Sequence, residues 1–291
     1  MAAVRFLAFF FVASIMFSIG LEVALKDIGG VLRERSLLIR SLVANIVLAP
    51  VLGLVLARVF SMSADASAGL MLLAFAPGAP FALQFTARER PAMAYAVTLA
   101  FLLSALAVFI TPLLSLSMAL FESRVYRQVP VMPVIGVLFL LQLLPLTIGL
   151  IVRMKTPFAP LLARISRASA YLSFAAVVIL TLGIKSSAVR SLGAGGLAGV
   201  FCLIAGSWVI GWLLGGPDRR NRRVLAMETG FRNVALCLLF AMRAFPETDV
   251  DTVVVAFSAL VLPLNLIFGF ASFDKSSPPK EKHATDTQLT R

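Results

Sequence analysis

Long apolar runs alternate along the chain with short polar stretches rich in arginine and lysine, and most runs have the length of a bilayer crossing. Taking about 20 apolar residues per crossing, the pattern predicts an all-α polytopic protein of about nine spans. They fall at roughly 4–25, 37–59, 66–87, 92–121, 131–152, 168–189, 194–214, 222–244 and 250–271. The single transmembrane domain then covers 1–271, and the polar, proline-containing stretch 272–291 is expected to be a disordered tail. The opening run, MAAVRFLAFFFVASIMFSIGLEVAL, exceeds a signal-peptide core in length and is read as a retained first span.

Composition agrees with this pattern. Hydrophobic residues make up 60% of the chain and charged ones 14%, with a mean hydropathy of +0.96, against about 25% charged in soluble domains. A net charge of +12 would suit a nucleic-acid partner, but the basic residues lie in clusters between the apolar runs, which is how cytoplasmic loops are marked. Nucleic acid is therefore excluded and the lipid bilayer is the expected surrounding. The stretches after odd-numbered spans, with the tail, hold eighteen lysines and arginines; the opposite side holds seven. The bias predicts an N-terminus outside and a C-terminus in the cytoplasm, and a bacterial inner membrane is the expected location.

Catalytic and metal chemistry find little support. The lone histidine, His283, lies in the tail; Cys202 and Cys237 sit within apolar runs as small packing residues. Neither a P-loop nor GxSxG nor HExxH is present. No enzyme activity and no cofactor are expected.

The polar residues that matter are inside the spans. The eighth opens with four arginines among Arg219–Arg223, turns apolar, and still contains Glu228, Arg232 and Asn233. A charged side chain at bilayer depth costs at least about 2.5–3.5 kcal/mol and marks a substrate or ion path. Two spans are predicted to be broken: the third at APGAP, residues 76–80, and the eighth at Gly230. Paired interruptions point to a transporter's binding site. The plainer alternatives stay open: the prolines and glycine as ordinary kinks, and Glu228 with Arg232 as a structural pair. Gln84, Thr86 and Asn265 are weaker cavity-lining candidates, equally suited to hydrogen bonding between helices.

These residues resemble the bile acid:sodium symporter family. The match runs through MFSIGLEVALKDI in the first span, NIVLAP in the second, APGAP, ITPLL, LPLTIGL and finally ETGFRN at 228–233. The resemblance implies inverted repeats, with spans three and eight crossing. A core would comprise 37–121 and 194–271, and a panel 4–25, 131–152 and 168–189. It also implies two sodium sites, and the ligand positions can be followed. The first falls on Ala82, Leu83, Ala96, Ala100 and Glu228, of which Glu228 alone carries a side-chain oxygen. The second falls on Asn45, Glu228, the carbonyls of Thr229 and Phe231, and Arg232, which has donors and no acceptor. Sodium coupling is accordingly doubtful, and Arg232 is expected to replace the cation. Its spacing from Glu228 suits a helical ion pair, and its fork of donors also suits an organic carboxylate or sulfate.

The sequence thus predicts a secondary transporter of a small organic anion, working by alternating access without sodium. Two alternatives remain: a transport-inactive sensor or scaffold with the same fold, and a sodium-dependent symporter.

Overall fold

The computed structural model describes residues 2–23, 29, 31–78, 92–121, 136, 139–184, 192–245 and 248–271. Gln84, Thr86, Ala82, Leu83, His283 and the tail lie outside the described residues. Among the described residues the chain is helical, without a strand.

In chain order, α1 is Ala2–Glu22, α2 Arg35–Leu42 and α3 Ala49–Val59, with a π-helical turn, Val43–Leu48, joining α2 to α3. Next come α4, Ala64–Phe75, and α5, Met93–Phe121; a second π turn, Phe139–Leu143, leads into α6, Leu144–Lys155. The remainder are α7 (Ala159–Ile184), α8 (Gly193–Leu214), α9 (Arg219–Gly230), α10 (Val234–Ala244) and α11 (Val250–Ala271).

Three continuous helices among the described residues have the length and hydropathy to cross a membrane: Arg35–Val59, Ala159–Leu180 and Gly193–Leu214. Further apolar helices, such as Phe6–Glu22 and Ala64–Phe75, are shorter. The long helices expose apolar side chains outward. Val43, Val47, Val51, Val55 and Val59 form an exposed stripe on α2–α3, and Leu197, Phe201, Val209 and Leu213 do the same on α8. So much exposed apolar surface is unsuited to water and suited to lipid. The inward faces carry one large core that includes Leu70, Leu73, Leu99, Leu103, Phe240 and Phe257.

Small residues set how closely the helices approach. A Cβ on Gly20 of α1 would strike the backbone of Leu146 on α6, and one on Gly211 of α8 the backbone of Leu225 on α9. Close backbone approach through glycine is the usual means of helix packing in lipid. α1 packs chiefly on α7 and α6, α8 on α9, and α4 on α3 and α11.

Both π turns end two residues before a proline, Pro50 and Pro145. A proline cannot donate to the carbonyl four residues back and crowds it, and widening the preceding turn to π geometry relieves that contact.

Two boundaries differ from the sequence expectation. The helix placed at 168 begins at Ala159, two turns earlier. Hydropathy falls where Arg164 and Arg167 enter, while the helix continues because Ala159 and Ala163 stay buried against α1. The arginines placed partly in a loop before 222 form the first turns of α9, whose N-cap Asp218 accepts from the Arg220 amide at 2.8 Å.

Candidate functional site

Both helices stop where a break was expected, and the two stops meet; the expected second half of the third span, after residue 78, lies outside the described residues. α4 stops at Phe75 because Ala76 precedes Pro77 and is extended, at φ −66° and ψ 123°. α9 stops at Gly230, and Phe231 is extended at φ −84° and ψ 122°. The chain restarts at α10 with Asn233 as N-cap, its Oδ1 accepting from the Leu236 amide at 3.0 Å. Backbone freed by the two breaks pairs across them: Gly78 and Arg232 form an antiparallel bridge, and the Asn233 amide donates to the Pro77 carbonyl at 3.1 Å. This is how unwound backbone is tolerated at membrane depth.

Asn45, in the π turn between α2 and α3, ties those helices into the same point. Its Nδ2 donates to the Ser41 carbonyl at 3.0 Å and to Thr229 Oγ1 at 3.3 Å, and its Oδ1 accepts from the Gly78 amide at 3.2 Å. Gly78 is needed for proximity, since a Cβ there would strike the Glu228 carbonyl oxygen. Ser41 also hydrogen-bonds the Tyr95 hydroxyl of α5 at 2.7 Å, holding α2 to α5.

Glu228, Thr229, Phe231, Arg232 and Asn233 are all buried at this crossing. The expected ion pair is absent. Both carboxylate oxygens of Glu228 are without a hydrogen-bond partner, and Arg232 is directed elsewhere. Its two terminal nitrogens donate to the Ala76 carbonyl and to Ser207 Oγ of α8, each at 3.2 Å. Four-residue spacing joins side chains only on a continuous helix, and the extended Phe231 between them turns Arg232 off that face. Arg232 instead lies at the C-terminal end of α4, where free carbonyls favour a positive charge.

The polar inventory around the crossing is uneven. Ala96 and Ala100 are buried on α5, offering no side-chain oxygen; between them the buried Thr98 hydroxyl lacks a partner. Asn233 Nδ2 and Arg232 Nε are also unpartnered. Asn265 serves as a bond between helices, its Oδ1 accepting from Trp208 Nε1 at 2.9 Å. Cys237 is buried against α4 as a packing residue.

Three contributors escaped sequence reasoning. Ser207 takes one end of Arg232; its signal was being the lone hydroxyl of α8. Trp208 lays its indole against Gly230 and stacks on Phe268, ring centres 4.8 Å apart. Gln142, in the second π turn, is buried with neither amide atom partnered.

A helix end and a helix break that exchange backbone hydrogen bonds inside an apolar bundle, with a buried cation and a bare carboxylate beside them, mark an integral membrane protein with a polar site in its interior. Comparison with known proteins narrows this. Residues 9–193 match the Sodium Bile acid symporter family, and the chain belongs to it, a family of transporters. It is also 24% identical over 281 residues to the hepatic sodium/bile acid cotransporter of Rattus norvegicus, covering 92% of this chain and 77% of that one.

Proposed function

We propose that the protein is a secondary carrier of a small organic anion that works by alternating access and does not depend on sodium. Nine spans form inverted repeats, with α1, α6 and α7 as a panel moving against a core of the remaining helices. The N-terminus faces outside and the C-terminus the cytoplasm of a bacterial cell. The rat relative is named for sodium and bile acid; for this chain the anion class is proposed, not that substrate.

The observation that carries the reading is the Arg232 guanidinium, buried and bonded to the Ala76 carbonyl at the end of the first broken helix. A permanent cation there does for the α4 C-terminus what a bound ion would do. The other oxygens that a sodium ion would need are replaced by Ala96 and Ala100. Glu228 remains as the coupling group. A buried carboxylate without donors is unfavourable unless neutralised, and uptake or release of a proton at that carboxylate offers a coupling step. The unpartnered Arg232 Nε and Asn233 Nδ2 supply two donors for the substrate anion.

Uptake into proteoliposomes tests this. Transport of a carboxylate or sulfonate is expected to be equal in sodium and potassium, to respond to an imposed pH gradient, and to vanish in Glu228→Gln. Arg232→Gln is expected to make thermal stability rise with added sodium. Uptake by the natural protein that requires sodium would overturn the proposal in favour of a sodium symporter. That second reading draws on the same bare carboxylate, which together with Asn45 Oδ1 and Thr229 Oγ1 offers oxygens to a cation.

A further inference from the structure

At one end of the bundle, a cavity of about 630 Å³ opens between the last turn of α1, the end of α6, the start of α7 and α5. None of its lining residues belongs to the crossing. Arg153, Arg164 and Arg167 line it together with a single carboxylate, Glu22. Arg167 is ion-paired with Glu22, so that carboxylate is engaged. Arg153 and Arg164 make no ion pair among the described residues and leave the cavity with an excess of positive charge. The remaining surface is largely apolar, with Leu21 and Val97 among it.

The walls on three sides are fixed to one another. Ser18 Oγ donates to the Ala163 carbonyl at 3.2 Å and Ser166 Oγ to the Ser14 carbonyl at 2.8 Å, locking α7 to α1. A short turn, in which Thr156 Oγ1 accepts from the Phe158 amide, joins α6 to α7. The fourth wall is Val97 of α5, a helix that also packs against α9 of the crossing.

We propose that this cavity is a binding site for an amphiphilic anion with a phosphate head. Arg153 and Arg164 grip the head, and the apolar wall takes the attached hydrocarbon. Guanidinium forks match phosphate geometry with paired hydrogen bonds. A pocket of 300–1,000 Å³ with apolar lining and a few convergent polar groups is the usual form of a small-molecule site. Basic pockets between membrane helices at the headgroup level take anionic lipid heads. The same chemistry is offered by an acidic phospholipid from the bilayer and by a soluble phosphate ester. Because the occupant touches both α5 and the α1–α6–α7 group, it holds these elements in their present relation. The cavity lies between the proposed panel, α1, α6 and α7, and α5 of the core, while none of its residues is among the proposed substrate ligands, so its occupancy is tested apart from transport.

Thermal unfolding of the full-length protein in detergent tests the proposal, with phosphatidylglycerol, phosphatidylcholine or glycerol 3-phosphate added, alongside native mass spectrometry of retained lipid. Phosphatidylglycerol at about a hundred times its Kd is expected to raise the midpoint by about 5 °C and to be retained, with no effect from phosphatidylcholine. Both effects are expected to be lost in the double variant Arg153→Gln, Arg164→Gln, whose replaced side chains are exposed. A shift from glycerol 3-phosphate, lost in the same variant, assigns the site to a soluble phosphate ester. Equal shifts from phosphatidylglycerol and phosphatidylcholine, shifts that survive the double variant, or none with any anion would overturn it. Arg232→Gln separates the two sites, since it is expected to leave the phosphatidylglycerol shift intact.

Discussion

Asn45 and Gln142 occupy similar local settings and fare differently. Each sits in a π turn that precedes a proline, and each is buried. Asn45 spends its amide on Ser41, Thr229 and Gly78, whereas both amide atoms of Gln142 are unpartnered. A buried amide left unsatisfied costs about 1–3 kcal/mol, so Gln142→Leu is expected to raise stability by about 1 kcal/mol or more. Asn45→Leu, which also adds bulk at a buried position, is expected to lower it by about 2 kcal/mol or more, because Gly78 and Thr229 lose their partner. Thermal midpoints of the two variants against the natural protein decide the matter. A lower midpoint for Gln142→Leu would mean that the amide has an internal partner after all.

Among the elements, the two breaks reach the same backbone shape by different sequence routes. Pro77 forces Ala76 out of the helix, while Gly230 ends α9 with Trp208 packed where a Cβ would stand. The contact between breaks leaves no room at Gly78: a Cβ would meet the Glu228 carbonyl and come within 3.0 Å of Asn45 Oδ1 and Leu103 Cδ1. Gly78→Ala is therefore expected to push the breaks apart and cost about 1–3 kcal/mol, read as a lower thermal midpoint. Gly29→Ala, with open space around it, serves as the neutral control. The breaks were legible in the sequence because proline and glycine act through local rules. So was the convergence of Asn45, Glu228 and ETGFRN residues, through the family resemblance. The Glu228–Arg232 pair was misread because spacing rules assume a continuous helix, and the extended Phe231 breaks that assumption. The early start of α7 was hidden for another reason. Charge at Arg164 and Arg167 ends an apolar run, yet it does not end backbone hydrogen bonding. The π turns and the Ser207 contact depend on tertiary packing, which no single stretch of sequence carries.

At the scale of the molecule, the proposed orientation rests on the distribution of positive charge. The cavity arginines Arg153, Arg164 and Arg167 on α6 and α7 and the arginine-rich start of α9 all belong to stretches that the eighteen-to-seven bias assigns to the cytoplasm. Reporter fusions test this directly. Alkaline phosphatase folds only outside the inner membrane and a fluorescent protein of the ordinary kind only inside. A fluorescent protein after Arg291 is expected to glow, and phosphatase at the same place to be inactive. Phosphatase joined after Gln128, between the fourth and fifth spans, is expected to be active, and after Arg219 inactive. The reverse pattern at all three sites would invert the molecule. It would also move the phosphate cavity to the outer face, where cytoplasmic phosphate esters cannot reach it. Activity on the same side at Gln128 and Arg219 would instead contradict the nine-span count, since three spans lie between the two segments.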